Sequence, residues 1–235
     1  MCGRYILAQA AKFERAVRLG KVSWHFEPSY NVAPTQAVPV LLTLAGVREG
    51  LMMRWGLIPF FARGVPPKYS TINATVEKLE NGPCWRTPWK RGQRCIQLAA
   101  GFNEWHLGAS GRKQPYFIHL ADHEVFGFAS IWDRSIAEDG AATESCALVT
   151  LPGNDLMREI HNAGANPYRM PAILAPDEFA AWLEGTREDA RALLKPYPAE
   201  LMVAYGVSPR VNSPRNNGPE LIEPVPAQDP AAHSA

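Results

Sequence analysis

The stretch RCIQLAAGFNEWHLGASGRKQPYFIHLADHEVFGFASI, residues 94–131, decides the fold class. It contains three short runs rich in β-branched and aromatic residues, at positions 94–100, 115–120 and 125–131. Gly, Pro, Asn and Asp separate these runs. Short runs of this kind between turn-forming residues are typical of β-strands. Residues 94–131 therefore predict three successive strands.

More strands are predicted on both sides of this stretch, and helices mainly after it. Runs of the same kind occupy residues 38–44, 50–55, 146–151 and 201–207. The predicted helices lie at residues 10–19, at 155–161 after an Asn154 cap, at 178–183 after an Asp177 cap, and from Thr186 and Asp189 to residue 194. Strands in the middle and helices near the end indicate an α+β fold with a β-rich core.

The composition is that of an ordinary globular protein. Of 235 residues, 46% are hydrophobic and 20% charged, and 24 basic and 23 acidic side chains give a formal net charge of +1. This balance excludes disorder as the main state, and no apolar run reaches the roughly 18 to 20 residues of a membrane span. Without a signal-peptide pattern, a cytoplasmic monomer is expected. Residues 1–226 are expected to form one domain and residues 227–235 a disordered tail.

The near-neutral total hides a basic stretch. Residues 54–94 contain eight basic and two acidic side chains, a local net charge of +6. They are interspersed with Trp and Phe side chains, at Trp55, Phe60, Phe61, Trp85 and Trp89. Cations for phosphates and ring faces for bases are what a single-stranded nucleic acid groove needs. The alternative is a solvated basic face over a Trp-rich core.

Cys2 is the exceptional residue among the four cysteines, at positions 2, 84, 95 and 146. Their spacing matches no zinc motif, and no metal or other cofactor is expected. An initiator Met before a small residue is normally removed, which would leave Cys2 with an amine and a thiol on adjacent carbons. Both titrate near neutral pH. An aldehyde condenses with such a 1,2-aminothiol through an imine to a five-membered thiazolidine. The alternative is that Cys2 is incidental.

Seven short motifs occur in one order along the chain. They are MCGRY (1–5), YNVAP (30–34), RWGLIP (54–59), INA (72–74), GFNEW (101–105), His161 followed by RMP (169–171), and PELI (219–222). Together they resemble the SOS-response-associated peptidase family, the abasic-site processing proteins, over residues 1 to about 226. The resemblance implies a single compact α+β domain around a barrel-like sheet, with DNA in a positively charged cleft. It also implies capture of abasic sites in single-stranded DNA, through a thiazolidine with the aldehyde of the opened sugar.

The resemblance assigns roles to individual residues. Cys2 is the implied nucleophile, Asn73 would hold the terminus or the sugar, and Glu104 and His161 would exchange protons. Glu104 is expected just after a buried strand, where burial would raise the pKa of its carboxyl. Five further residues are implied in contacts with phosphates or bases: Arg4, Arg169, Pro34, Trp55 and Phe61.

Structural alternatives exist for three of these residues. Glu104 could be a rim residue paired with a cation, His161 a satisfied helix cap, and Trp55 part of the core. The chain also departs from the family pattern. Thr75 stands where the family commonly has Arg, so one phosphate contact would be lost or would be supplied by Lys68 or Arg63. Seven residues, 162–168, separate His161 from Arg169 where the family has one, and their Gly, Pro and Asn content predicts a loop at the cleft.

Two other functions remain open at this point. Cys2, His161 and Asn73 would also suit a cysteine peptidase, with nucleophile, base and orienting amide. A nucleophile at the terminus fits removal of the chain's own Met1 better than attack on other proteins, so self-processing, lyase chemistry and DNA capture are compatible. The third function is a noncatalytic module that binds single-stranded nucleic acid.

Overall fold

Two β-sheets make up most of the computed structural model, which describes residues 2–16 and 21–226. The strands of the described residues are β1 (Arg4–Leu7), β2 (Lys21–Val22), β3 (Ser29–Val32), β4 (Ala37–Leu44), β5 (Val47–Trp55), β6 (Asn73–Thr75), β7 (Arg94–Ala99), β8 (Gly101–Leu107), β9 (Lys113–Leu120), β10 (Phe126–Ile136), β11 (Ala142–Pro152), β12 (Arg169–Pro171), β13 (Ile173–Leu174) and β14 (Met202–Gly206). The α-helices are short: α1 (Ala10–Ala16), α2 (Arg86–Lys90), α3 (Asp155–Ile160), α4 (Phe179–Glu184) and α5 (Arg187–Ala192). No helix within these ranges is long and apolar enough to cross a membrane.

Five strands of the larger sheet close into a barrel. β4 pairs with β5, β5 with β11, β11 with β10, β10 with β7, and β7 again with β4. The β5–β11 pairing is parallel and sets Cys146 opposite Trp55, whereas the other four are antiparallel. Closure leaves the barrel strands without free edges. Each strand contributes fully buried residues to one core, among them Leu41, Met53, Ile96, Phe128 and Leu148.

The second sheet packs on this barrel. Its order is β14-β9-β8-β1-β3, and every pairing in it is antiparallel. The Tyr5 ring of β1 meets Trp55 and Phe128 edge-on, with ring centroids 5.3 and 5.8 Å apart. Side chains alternate along a strand, so Ile6 lies on the opposite face. There it joins Phe117, Val207 and Val211 in a smaller apolar cluster.

Helix starts follow local capping chemistry. Asn154 accepts a hydrogen bond from the Met157 N–H at 2.9 Å and so begins α3 as predicted. Thr186 and Asp189 form a reciprocal capping box at α5. The predicted Asp177 cap is wrong, because a 3-10 helix at Pro176–Glu178 leads directly into α4. Part of the predicted helix at 10–19 and the predicted tail at 227–235 lie outside the described residues.

The predicted α+β class is confirmed, and all seven predicted strands are present as β4, β5, β7, β9, β10, β11 and β14. The prediction missed β8, and Glu104 therefore lies within a strand rather than just after one. The first four residues of β8 are all buried, so the strand lacks the polar alternation that marks a half-exposed strand. At Gly101 a Cβ would come within 2.3 Å of the Phe117 ring, so the close packing of β8 on β9 requires glycine there.

Candidate active site

Cys2 lies two residues before β1 and is only 1% exposed. Its thiol donates to the Arg4 carbonyl at 3.6 Å. Asn73, the first residue of β6, donates from Nδ2 to the Cys2 carbonyl at 3.1 Å. Parallel pairing of β6 with β11, which sets Asn73 opposite Leu148, holds the amide in place. Burial, with the nearby Glu104 carboxylate as a second cause, raises the pKa of the Cys2 thiol, which therefore needs a base to become a nucleophile.

Glu104 reaches Cys2 through the pairing of β8 with β1. The register sets Arg4 opposite Asn103 and Tyr5 opposite Phe102, so Glu104 lies beside the chain that leads from Cys2 into β1. Glu104 is 2% exposed, which rules out the alternative of a solvated rim residue. Burial raises the pKa of its carboxyl to about 7. Near neutral pH the group exists in both protonation states, as a proton-transfer residue should.

His161 caps the C-terminal end of α3 and is 4% exposed. Its Nδ1 lies 3.1 Å from the Arg169 carbonyl oxygen and 3.2 Å from the Arg169 backbone nitrogen, which fixes the ring orientation. The end of α3 is attached to β8, because the Asn162 side chain bonds both the N–H and the C=O of Leu107. Burial lowers the pKa of the imidazole to about 4, so His161 is a neutral base at physiological pH.

Three of the four predicted catalytic residues thus meet at Cys2, and the fourth, His161, lies at the end of a helix attached to the strand of Glu104. Asn73 is bonded to Cys2, the Glu104 carboxylate influences the Cys2 thiol, and His161 is held at the strand that carries Glu104. The arrangement offers a thiol, an acid with a pKa near neutrality, a neutral base and an orienting amide around the start of the chain.

Both predicted phosphate-binding arginines are engaged within the protein. Arg4 is half-buried and donates to the carbonyls of Gly3 and Asn212 at 3.0 and 3.3 Å. Arg169 forms a bidentate ion pair with Glu77, at 2.7 and 3.0 Å, and a third bond to the Thr150 carbonyl. A phosphate that binds Arg169 must therefore compete with the Glu77 carboxylate.

The predicted base-stacking residues differ in accessibility. Phe61 is 52% exposed, and Pro34 is half-buried. Trp55 is completely buried, packs on Tyr5 and donates its indole N–H to the Ile72 carbonyl. A ring held in this way has no face for a base, so the structure supports the core alternative for Trp55.

The basic stretch at residues 54–94 exposes fewer of its cations and aromatic rings than the sequence contains. Six of its cations are exposed: Arg63, Lys68, Lys78, Arg86, Lys90 and Arg91. Arg94 is buried and donates to the carbonyls of Trp182 and Gly185 at the end of α4. Trp85 and Trp89 are buried as well. The exposed aromatic residues of the stretch are Tyr69 and, in the 3-10 helix Phe60–Ala62, Phe60 and Phe61. The Arg91 guanidinium lies 5.4 Å from the centroid of the Phe60 ring.

Sequence reasoning missed Glu77, although its position offered a signal. It is one of two acidic residues in a stretch with eight basic ones, and it lies four residues after Asn73. An isolated carboxylate in a basic segment is a candidate ion-pair partner. Among the described residues, no group of three or more His, Cys, Asp or Glu side chains is placed to hold a metal ion.

Comparison with known proteins yields consistent matches. A family model described as SOS response associated peptidase (SRAP) matches residues 1–214. The abasic site processing protein YoqW of Bacillus subtilis (strain 168) is 35% identical over 231 residues, which cover 95% of this chain and 99% of that protein. The abasic site processing protein HMCES of Gallus gallus is 30% identical over 271 residues, covering 96% and 78%. A crystal structure of a Bordetella bronchiseptica protein superposes with a TM-score of 0.76 at 28% identity, over 88% of this chain and all of that one.

Proposed function

Because the chain belongs to the SOS response associated peptidase family, we propose that it processes abasic sites in single-stranded DNA by bonding to them through Cys2. The relatives' names describe abasic site processing. The observation that carries the covalent mechanism is the grouping of Cys2 with Asn73, Glu104 and His161. An abasic sugar opens to an aldehyde, which is the electrophile that a 1,2-aminothiol captures.

The mechanism requires a free amine on Cys2 and hence removal of Met1. The surrounding groups suit self-processing: the Cys2 thiol attacks the Met1 carbonyl, the acyl group moves to sulfur, and water releases methionine. Neutral His161 is the base that this step needs, since the thiol itself is protonated. Asn73 holds the Cys2 backbone during the reaction through its bond to the Cys2 carbonyl.

Capture then proceeds in two bond-forming steps. The Cys2 amine adds to the sugar aldehyde, and the resulting carbinolamine loses water to give an imine. The thiol, deprotonated by His161, adds to the imine carbon and closes the thiazolidine, so one water is released overall. Glu104, with a pKa of about 7, donates the proton with which the hydroxyl leaves and takes one back from the amine.

The same imine allows lyase chemistry. Loss of a proton from the carbon next to the imine expels the 3′ phosphate and cuts the strand. Ring closure by sulfur removes the imine and so protects the strand from this elimination. A protein that can close the ring therefore shields an abasic site, whereas one that lacks the thiol would cleave it.

The DNA would lie against the exposed cations of the basic stretch and the Phe60–Ala62 segment. Phe61 and Pro34 offer apolar surface for bases, and Arg4 lies two residues from the nucleophile. Trp55 has no part in this surface. Since phosphate neutralisation releases counterions, binding should weaken steeply as salt increases.

The proposal is tested by mixing the protein with a single-stranded oligonucleotide that bears one abasic site. Wild type should give a heat-stable covalent species on a denaturing gel, with the mass of protein lacking Met1 plus DNA minus one water. Cys2→Ala should give none, whereas the matched control Cys84→Ala, at another buried free cysteine, should crosslink normally. Equal behaviour of wild type and Cys2→Ala would overturn the proposal. Cleavage of unrelated proteins, lost in both Cys2→Ala and His161→Ala, would favour a general peptidase instead.

A further inference from the structure

Residues 162–168 form a loop that is fastened at both ends. At its base, the Tyr168 N–H donates to the His161 carbonyl at 2.7 Å, and the Gly153 N–H donates to the Tyr168 carbonyl at 2.7 Å. At its start, the Asn162 side chain holds the N–H and C=O of Leu107 in β8. The loop therefore spans the distance between the strand of Glu104 and the strand of Arg169.

Tyr168 has an unusual conformation within this loop. Its φ is +61°, a left-handed value that glycine or asparagine adopts at lower cost than an aromatic residue. The two backbone bonds and the close packing of Gly153, where a Cβ would lie 3.2 Å from the Tyr168 carbonyl oxygen, hold it there. Strained residues fixed by their surroundings are concentrated at functional sites.

Tyr168 is also exposed. Its exposed fraction is 49%, while His161, whose carbonyl accepts the Tyr168 N–H, and Met170, two residues further on, are buried. The loop around it has no acidic residue that would repel a phosphate, and its outer residues Gly164, Ala165 and Asn166 are small and exposed. An approaching DNA strand would thus meet an exposed aromatic ring, carried by a backbone that is bonded to His161.

We propose that Tyr168 stacks on a base next to the trapped abasic sugar, so that the loop at 162–168 adds a nucleotide contact to the active site. This inference rests on the proposed function. Bases stack on exposed aromatic side chains without sequence preference, and loss of such a ring typically costs about tenfold in affinity. The contact would compensate for phosphate contacts weakened at Thr75 and at the Glu77-paired Arg169.

The test compares wild type with Tyr168→Asn and Tyr168→Phe in binding and crosslinking of abasic single-stranded DNA. Asparagine suits the left-handed backbone, so this variant should fold at least as stably as wild type while it lacks the ring. We expect Tyr168→Asn to bind about tenfold more weakly with an unchanged salt dependence, and Tyr168→Phe to match wild type. A second arm replaces the bases flanking the abasic site, one at a time, by a tetrahydrofuran abasic analogue.

At one flanking position, removal of the base should abolish the difference between wild type and Tyr168→Asn. Equal binding by wild type and Tyr168→Asn, or a loss that is the same with every flanking base removed, would overturn the stacking role. Failure of wild type itself to crosslink would instead contradict the proposed function, while the binding measurement would still test the stacking contact.

Discussion

Glu104 and His161 have their ordinary order of acidity reversed. Burial raises the pKa of the Glu104 carboxyl to about 7 and lowers that of the His161 imidazole to about 4. At neutral pH the imidazole is therefore uncharged, while the carboxyl is present in both protonation states and can donate or accept a proton. Groups whose environments push their pKa values apart are the usual acid and base of an active site. The proposed chemistry needs both at once, one for departure of water and one for the thiol.

The pH dependence of crosslinking should reveal Glu104. Because the protonated carboxyl assists loss of water, the rate should fall as pH rises through about 7. The Cys2 amine must be free of its proton, which lowers the rate on the acid side and makes the profile bell-shaped. Timed crosslinking assays from pH 5 to 9 should show this decrease in rate above pH 7 in wild type but not in Glu104→Gln. If Glu104→Gln shows the same decrease, Glu104 is not the acid.

Glu104 should also affect stability with a definite sign. Since its pKa is raised in the folded state, the folded protein binds more protons than the unfolded chain between about pH 4.5 and 7. The free energy of unfolding of wild type should therefore fall by up to about 3 kcal/mol as pH rises through that window. Urea titrations should show that Glu104→Gln, which cannot ionise, lacks the decline. Parallel curves for wild type and Glu104→Gln across pH 4 to 8 would contradict the raised pKa.

At single residues, sequence was informative where a motif fixed the chemistry. Cys2, Asn73, Glu104 and His161 lie in short motifs of the family. The structure brings Asn73 and Glu104 to Cys2 and attaches the helix of His161 to the strand of Glu104. Trp55 also lies in such a motif, but its burial depends on where β5 and β11 meet. That pairing joins residues far apart in the chain, so local sequence could not decide between core and surface for this ring.

At the level of elements, the segment after β14 is fixed to the second sheet by Asn31. Its side-chain nitrogen lies 3.2, 2.9 and 3.0 Å from the carbonyl oxygens of Val211, Ser213 and Asn216. The amide is 2% exposed, so it acts in place of water for these carbonyls. One side chain in β3 thus holds the segment after β14 in place over the outer face of β1, the strand that follows Cys2.

Replacement of Asn31 should destabilise the protein markedly. Asn31→Ala leaves buried carbonyls without their donor, which should cost about 2 to 3 kcal/mol of unfolding free energy. Chemical denaturation measures the loss. Asn216→Ala is the matched control, because that side chain makes a single bond to the Arg210 carbonyl and should cost less than about 1 kcal/mol. Equal losses in the two variants would show that the carbonyl cluster contributes little.

Strand prediction failed in β8 for a physical reason. Alternation of apolar and polar residues identifies a strand with one solvent-exposed face, but β8, the strand of Glu104, is buried on both faces along its first half. It also contains Gly101, Asn103 and Glu104, residues that are uncommon in strands. Tertiary packing overrides these propensities, and the strand that holds a catalytic carboxyl is therefore hard to find from sequence.

At the level of the whole molecule, the parallel pairing of β5 and β11 closes the barrel and fixes Trp55 at its seam. We expect Trp55→Ala to lower the free energy of unfolding by about 4 kcal/mol, the usual cost of removing a large buried ring. Trp55→Phe should cost less, because most of the volume remains. Calorimetry of the two variants, followed by DNA-binding measurements at a temperature where both are folded, distinguishes a structural role of Trp55 from a role in DNA contact. Weakened DNA binding by folded Trp55→Phe would contradict the core assignment.

The seam has a consequence for the order in which the protein matures. Arg54 and Ser145, which pair across it, are 91 positions apart. The site around Cys2 is complete only when Asn73 and the strand of Glu104 have folded against it. Contacts between distant parts of a chain form slowly, because closing long loops costs entropy before any contact is gained. During synthesis the terminus leaves the ribosome first, with Met1 still bonded to Cys2, yet the His161 base is made only after some 160 residues. The newly made terminus is therefore chemically unassisted until the barrel has closed, and reactivity toward aldehydes becomes a late marker of correct folding.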